Sequence, residues 1–599
     1  MGENTETEEA QPDSAELAAT IGRIAEQSQR IVADFIARQG DRTDVNGDPL
    51  NIGSAFLAMT ARMMSDPARL AKAQMDLWNS YLDLWQQAAN RIMGRETEAL
   101  AAPPAGDRRF RDAAWDENPL FDYIKQSYLL TSKWLVSTVR ETEGLDAETA
   151  RKVDFYTRQF VDAMAPTNFA MTNPEVLRKT VESKGQNLVN GLANLLNDLE
   201  KGEGRLNISM VDNDAFELGR TLAATPGQVV FQNDLMQLIQ YAPTTESVRK
   251  TPLVIVPPWI NKFYILDLRE NNSFIRWAVE QGHTVFVISW VNPDGALSDK
   301  TFDDYLLDGP IAAIGAALEA TGAKKANLIG YCIGGTLLAA SLAWMAAKGD
   351  DRVASATFFT TMVDFEEPGE LGVFIDEEQI ASLEEHMSEQ GYLEGAHMAR
   401  TFNMLRANDL IWSFVVNNYL LGKEPFPFDL LYWNADSTRM PAAMHSFYLR
   451  RMYQDNALVA PGGIELAGVK IDLRDIAIPA YILSTKEDHI APWKSTYAAT
   501  RLYNGNVKFV LASSGHVAGV INPPAANKYA YRTNAKTPPA PGAWFETAKE
   551  HAGSWWPDWD KWVRKYAGGD VPARIPGDGP LKAIEPAPGS FVRVRSDED

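Results

Sequence analysis

The chain has 599 residues, 45% of them hydrophobic, and its 57 basic and 79 acidic side chains leave a formal charge of −22. That length allows roughly two to four domains with sizeable cores, and the content of Trp, Tyr and Phe excludes wholesale disorder. The acidic excess, with no basic tract, argues against general nucleic-acid binding and against attraction to anionic membranes.

One cysteine, Cys332, excludes an intrachain disulfide and a thiolate metal cluster, and fits a reducing compartment. The acidic, polar stretch from Met1 to Glu16 lacks the basic and apolar regions of a secretory signal. No apolar run approaches the ~18 residues of a membrane span. The expectation is a cytoplasmic protein without a transmembrane segment.

Residues 1–13 are polar. Leu17, Ile21, Ile24, Ile31 and Phe35 then recur at three- and four-residue spacing and predict an amphipathic helix. Residues 52–95 repeat the pattern through Leu57, Met64, Leu70, Leu77, Trp78, Tyr81 and Trp85, until Pro103 and Pro104 break it. Helical periodicity returns from Pro119 to about Leu199, with interruptions near Pro166 and Pro174. Residues 1–230 therefore read as a mostly helical N-terminal domain.

After Thr251 the period changes. Short β-rich runs lie at Leu253–Val256, Thr284–Ile288, Ala326–Ile329, Ala356–Phe359, Tyr481–Leu483 and Val507–Leu511. Helical stretches at Phe274–Glu280, Pro310–Thr321, Gly335–Lys348 and Trp493–Tyr503 separate most of them. Such βα alternation predicts a largely parallel sheet covered on both faces. The link from Phe359 to Tyr481 is too long for a simple crossover. Residues 364–475 are read as a cap insertion over the sheet's carboxyl edge, within a catalytic domain spanning 231–599. The Trp555, Trp556 and Trp559 cluster predicts the packing of a last helix, and the Pro- and Gly-rich tail from Gly568 reads as irregular.

Gly330-Tyr331-Cys332-Ile333-Gly334-Gly335 falls between a predicted strand and a predicted helix. This is the G-x-nucleophile-x-G elbow of α/β hydrolases with Cys in place of Ser. Glycines are needed there because a sharp strand-to-helix turn leaves no room for flanking side chains. The helix N-terminus favours a thiolate or an oxyanion. The partners should follow in the order acid, then histidine. Glu487-Asp488-His489 follows one predicted strand and Ser513-Ser514-Gly515-His516 the next. Asp488 fits as the orienting carboxylate and His516 as the base, with Glu487 and His489 as local competitors. One oxyanion donor should be the Ile333 N–H. The other should come from the loop after the first core strand, where Pro257 and Pro258 cannot donate and Ile260 is favoured over Trp259. His283, His386, His397, His445 and His551 show no metal-ligand spacing, so no metal is assigned.

The Gly330–Gly335 box resembles the lipase-like box of the polyhydroxyalkanoate synthases. The likeness extends through Pro257–Leu268, Gly282–Phe286, Ser289-Trp290, Asn292–Asp294, Asn408–Trp412, Trp433–Thr438, Glu487–Trp493 and Gly515–Pro524, and to Ala165–Phe169 in the helical part. It implies a nucleophile at Cys332, an acid at Asp488, a histidine at His516 and an active-site tryptophan at Trp433. It further implies polymerisation of (R)-3-hydroxyacyl-CoA, with 3-hydroxybutyryl-CoA as the short-chain substrate of the single-component class. Coenzyme A is released and no cofactor is needed. The expected partners are the growing polyester chain, a second copy in a homodimer, and the surface of a cytoplasmic storage granule with its associated proteins. The first ~100 residues match weakly. An acidic protein needs local positive charge for coenzyme A, and Lys262 and Arg406 stand in matching regions as candidates. A cysteine thioesterase of the same fold is the competing reading. A granule-binding protein without activity is a third.

Overall fold

The computed structural model describes residues 52–595 except 96, 105, 203 and 205. The helix expected around Leu17–Phe35 lies outside the described residues. The chain divides into two compact units: residues up to 212 with the segment 406–426, and residues 213–405 with 427 onward.

The first unit is helical, as its periodicity predicts. The described helices include α1 (Ile52–Ser65), α2 (Pro67–Ile92), α3 (Pro119–Arg140), α4 (Ala147–Ala163), α5 (Pro174–Glu182) and α6 (Gln186–Lys201). Local chemistry sets their starts. Asp66, Asn118 and Asn173 cap α2, α3 and α5 by accepting backbone N–H bonds, and each is followed by proline. Proline at a first helical position loses no intrahelical bond, and its φ is already that of a helix.

The segment 406–426 joins this unit although it lies inside the expected cap. Gly191 on α6 makes the approach possible, since a Cβ there would stand 1.8 Å from the Tyr419 carbonyl oxygen. Asn187 donates to the Leu420 carbonyl at 2.7 Å, and the Tyr419 hydroxyl donates to Asp198 at 2.6 Å. The division between units falls after Asp212 rather than at residue 230, because the chain has by then entered the sheet of the second unit.

That sheet has eleven strands. They are β1 (Gly227–Gln232), β2 (Met236–Tyr241), β3 (Leu253–Val256), β4 (Val285–Trp290), β5 (Ala326–Tyr331), β6 (Val353–Phe359), β7 (Ala480–Thr485), β8 (Val507–Ala512), β9 (Ala530–Thr533), β10 (Lys549–Ala552) and β11 (Glu585-Pro586). Their order is β10-β9-β8-β7-β6-β5-β3-β4-β2-β1-β11. The six predicted strands form the central parallel block β4-β3-β5-β6-β7-β8. Antiparallel strands extend both edges. Strands β3 to β5 and β7 are buried along their whole length, as a sheet covered on both faces requires.

Among the helices against the sheet are α7 (Phe274–Glu280), α8 (Ala312–Thr321) and α9 (Ile333–Ala347). The insertion is mostly helical and includes α10 (Glu377–Gln390), α11 (Gly395–Leu405), α12 (Asp429–Ala435) and α13 (Ala442–Tyr448). A late helix, α14 (Trp556–Val563), packs as its aromatic cluster predicts, with Trp555, Trp556 and Trp559 fully buried. Among the described residues, no helix is long and apolar enough to cross a membrane.

Candidate active site

Cys332 sits between β5 and α9 with φ 53° and ψ −125°. Such a conformation costs a non-glycine residue about 1–3 kcal/mol and persists only where the surroundings enforce it. Three glycines do so by letting neighbouring atoms approach closely. A Cβ on Gly330 would lie 2.5 Å from the Gly335 Cα, and one on Gly334 would lie 2.4 Å from the Val256 carbonyl oxygen. A Cβ on Gly335 would collide with the Thr361 side chain at 1.9 Å. The Cys332 N–H donates to the Phe359 carbonyl at 2.9 Å, which ties the elbow to the end of β6. Ile333 is the first residue of α9, so its N–H is one of the four with no intrahelical acceptor.

The structure brings Cys332, Asp488 and His516 together. Asp488 follows β7 and is buried. Its Oδ1 accepts the N–H groups of Ile490 (2.9 Å) and Ala491 (2.8 Å), and its Oδ2 accepts the Thr485 hydroxyl at 3.2 Å. That oxygen also lies 2.7 Å from His516 Nδ1. Glu487 beside it is exposed, and His489 is half-buried with its carbonyl bonded to the Glu370 N–H at 3.2 Å. Of the local competitors, geometry therefore selects Asp488 and His516.

Asp488 bonds the His516 ring, and Cys332 is close enough to interact with it. Burial opposes a positive charge on this imidazole, but the negative charges of Asp488 and Cys332 outweigh it. They hold the ring well above the ordinary histidine range. The Tyr331 ring stacks on His516 with centroids 5.8 Å apart and planes 22° from parallel. The loop carrying His516 is pinned from behind. Trp555 Nε1 donates to the Gly519 carbonyl and Trp556 Nε1 to the Val520 carbonyl, each at 2.9 Å.

Removing Cys332 isolates the Asp488–His516 pair and makes its linkage testable. With the histidine raised in the folded state, the pair's stabilisation is full below the unfolded value of about 6.5. It is lost as pH rises through the folded value. The difference in melting temperature between Cys332→Ala and Cys332→Ala/Asp488→Asn should thus be largest below about pH 6.5 and shrink at higher pH. A constant difference across the range would show that the pair holds no extra proton.

The loop after β3 carries Ile260, and the segment Trp433–Thr438 clamps it. Trp433 Nε1 donates to the Lys262 carbonyl at 2.8 Å, and the Thr438 hydroxyl donates to the Trp259 carbonyl at 2.6 Å. Asn261 forms an antiparallel bridge with Ser437. Lys262 Nζ lies 2.7 Å from Asp436 Oδ1, both side chains being buried, and donates to the Val594 carbonyl at 2.8 Å. The Tyr264 hydroxyl donates to Asp436 at 2.8 Å.

The Lys262 ammonium thus has a carboxylate partner, Asp436, inside the protein. Trp433 is buried and holds the same loop. Arg406, in the first unit, is half-exposed and ion-paired with Asp409. Thr438→Val should cost about 1 kcal/mol for the lost bond and, by loosening the loop, lower kcat about tenfold with little change in KM. Denaturation and steady-state kinetics would check this. An unchanged kcat would show that the clamp does not govern the reaction.

Two tyrosines near the nucleophile were not visible in the sequence. Tyr448 and Tyr453 pack edge to face, with ring centroids 5.6 Å apart and planes at 77°. Burial pushes both phenols up, and the charge at nearby Cys332 adds to the shift. Their spacing of five aligns them because the helix widens to a π-helix over Leu449–Gln454.

An open-edged parallel sheet with a strained elbow residue, followed by an acid and a histidine on successive strand ends, defines an α/β-hydrolase-fold protein. Comparison agrees: residues 253–523 match the alpha/beta hydrolase fold family, and residues 106–278 match the family described as the N-terminus of poly-beta-hydroxybutyrate polymerase. The chain is 50% identical over 587 residues to the poly(3-hydroxyalkanoate) polymerase subunit of Rhizobium meliloti, covering 98% of this chain and 96% of that one. It is 49% identical to the poly(3-hydroxyalkanoate) polymerase of Methylorubrum extorquens, with 98% and 99% covered. The subunit of Cupriavidus necator is 43% identical, with 94% of each chain covered. The chain belongs to the poly(3-hydroxyalkanoate) polymerase family.

Proposed function

We propose that this acyltransferase polymerises (R)-3-hydroxyacyl-CoA into polyester through a thioester on Cys332. The observation that carries the reading is a cysteine, rather than a serine, at a strained elbow beside a histidine that Asp488 holds at 2.7 Å. The Cys332 sulfur adds to the substrate thioester carbonyl, with Ile333 and Ile260 N–H groups as the oxyanion donors. The intermediate collapses by breaking the bond to the coenzyme A sulfur, which leaves with the proton held on His516. Sulfur-to-sulfur exchange is nearly isoenergetic, so the acyl group stays activated. The hydroxyl of another acyl unit then loses its proton to His516 and attacks the Cys332 thioester. This forms the ester link and returns the thiol.

Water must be kept from the acyl-enzyme, and the aromatic wall of Tyr448 and Tyr453 suits that task. On the same reading the preferred substrate is 3-hydroxybutyryl-CoA. The working form is a homodimer on the surface of a cytoplasmic polyester granule.

The test is product analysis with short- and medium-chain (R)-3-hydroxyacyl-CoA and purified protein. Polymer together with free coenzyme A is expected. Free hydroxy acid in place of polymer would make the chain a thioesterase. Gel filtration of active fractions tests the dimer, and full activity in a strictly monomeric species would overturn it.

A further inference from the structure

The histidines without metal-ligand spacing in the sequence include two that the fold brings together. His386 lies in the last turns of α10. Gly391, in the left-handed conformation at φ 85°, ends that helix and turns the chain. The two-residue strand Tyr392-Leu393 then pairs with Met440-Pro441. Glu394 follows at the entry to α11, and His397 stands in its first turn. The His397 N–H donates to the Glu394 carbonyl at 3.1 Å. One ligand atom from each of His386, Glu394 and His397 lies within 4.8 Å of the others. The two rings meet edge to face, centroids 5.2 Å apart and planes at 85°. His386 Nε2 is buried and has no hydrogen-bond partner among the described residues, a state that costs the folded chain a desolvation penalty unless something occupies the lone pair.

We infer that His386, Glu394 and His397 bind a divalent transition-metal ion of the Zn²⁺ type at the corner between α10 and α11. Two imidazoles and one carboxylate are a ligand set that zinc accepts, with water in a fourth position. Calcium and magnesium are poorly served, because they prefer sites built from oxygen ligands. The separation of the donors in sequence hid the site, since the turn at Gly391 and not a local repeat makes them converge. A bound ion would hold the end of α10 to the start of α11. The strand between them pairs with Met440-Pro441, and the Gly391 carbonyl accepts the Ala442 N–H at 3.0 Å. From there α13 runs to Tyr448 beside Cys332. The ion is therefore a clamp on the part of the insertion that walls the nucleophile.

The test uses full-length Cys332→Ala protein, so that the thiol cannot join His516 and Asp488 in a second metal site. After dialysis against a chelator, the protein is titrated with Zn²⁺ against a chromophoric competitor, and with Co²⁺ for its visible absorption. One ion per chain is expected, with visible Co²⁺ bands and a Zn²⁺-dependent rise in melting temperature. Adding His386→Gln or His397→Gln should weaken binding by at least about 100-fold, more than the 10–100-fold typical of outer-shell changes, and abolish the rise. Glu394→Gln keeps the side chain's size and provides a second arm should either histidine variant fail to fold. It too should weaken binding and reduce the rise. Absence of stoichiometric binding by the Cys332→Ala protein, or equal binding after all three substitutions, would overturn the site.

Discussion

Cys332→Ala is expected to abolish coenzyme A release, on the order of 10⁴–10⁶-fold, the scale of losing the nucleophile from a catalytic unit. The fold should survive. Alanine is no harder to hold at φ 53° than cysteine, and the three glycine contacts that enforce the elbow do not involve the Cys332 side chain. Without the sulfur, His516 keeps its bond to Asp488 and loses one of the two groups that raise it. Substrate binding can persist, since the oxyanion donors are backbone groups. Labelled acyl-CoA should then bind without becoming covalent. Cys332→Ser adds a sharper form of the same test. The oxygen nucleophile should accept an acyl group slowly and keep it, because an oxoester lies below the coenzyme A thioester in energy. Acyl label on another residue, or turnover by Cys332→Ala, would remove Cys332 from the mechanism.

The parts of this molecule that were legible in the sequence are those with local causes. Leu253–Val256 and Thr284–Ile288 read as strands because both faces of the sheet are covered and every position except Thr284 is apolar. Strands β9 and β10 escaped, since Ala530–Thr533 is half-buried throughout and Lys549–Ala552 is largely exposed. Their pairing depends on the sheet edge beside them and not on their own pattern. The membership of 406–426 in the helical unit escaped for a similar reason. Nothing in the sequence of that segment tells of Gly191, whose missing side chain admits Tyr419.

The site divides the same way. Cys332, Asp488 and His516 could be placed because each follows a strand that announces itself, in an order the fold imposes. At Lys262 the sequence shows a charge but not the buried carboxylate of Asp436 that meets it. Tyr448 and Tyr453 could not be found, as their common face exists only once the helix has widened.

Asp488→Asn is expected to separate the two halves of the reaction. The first half uses a sulfur nucleophile, intrinsically stronger than an oxygen one, so acylation tolerates a weaker histidine. The second half needs a secondary hydroxyl to lose its proton, which demands an imidazole in the right tautomer and able to carry positive charge. Asp488 supplies both. It accepts from His516 Nδ1 at 2.7 Å, and the Ile490 and Ala491 N–H groups lock its other oxygen in place. Asparagine keeps the shape, but its amide can present an N–H to Nδ1. The proton then belongs on Nε2, which leaves no lone pair for the incoming hydroxyl. Polymer growth should slow by about 10²-fold or more, the scale of general-base catalysis, while a single rapid release of coenzyme A per chain remains visible. Rapid-quench measurement of the first release beside steady-state release distinguishes the outcomes. Equal losses in both would show that Asp488 has no special part in elongation. No loss in either would show that His516 works without it, and exposed Glu487 would then be the next carboxylate to replace.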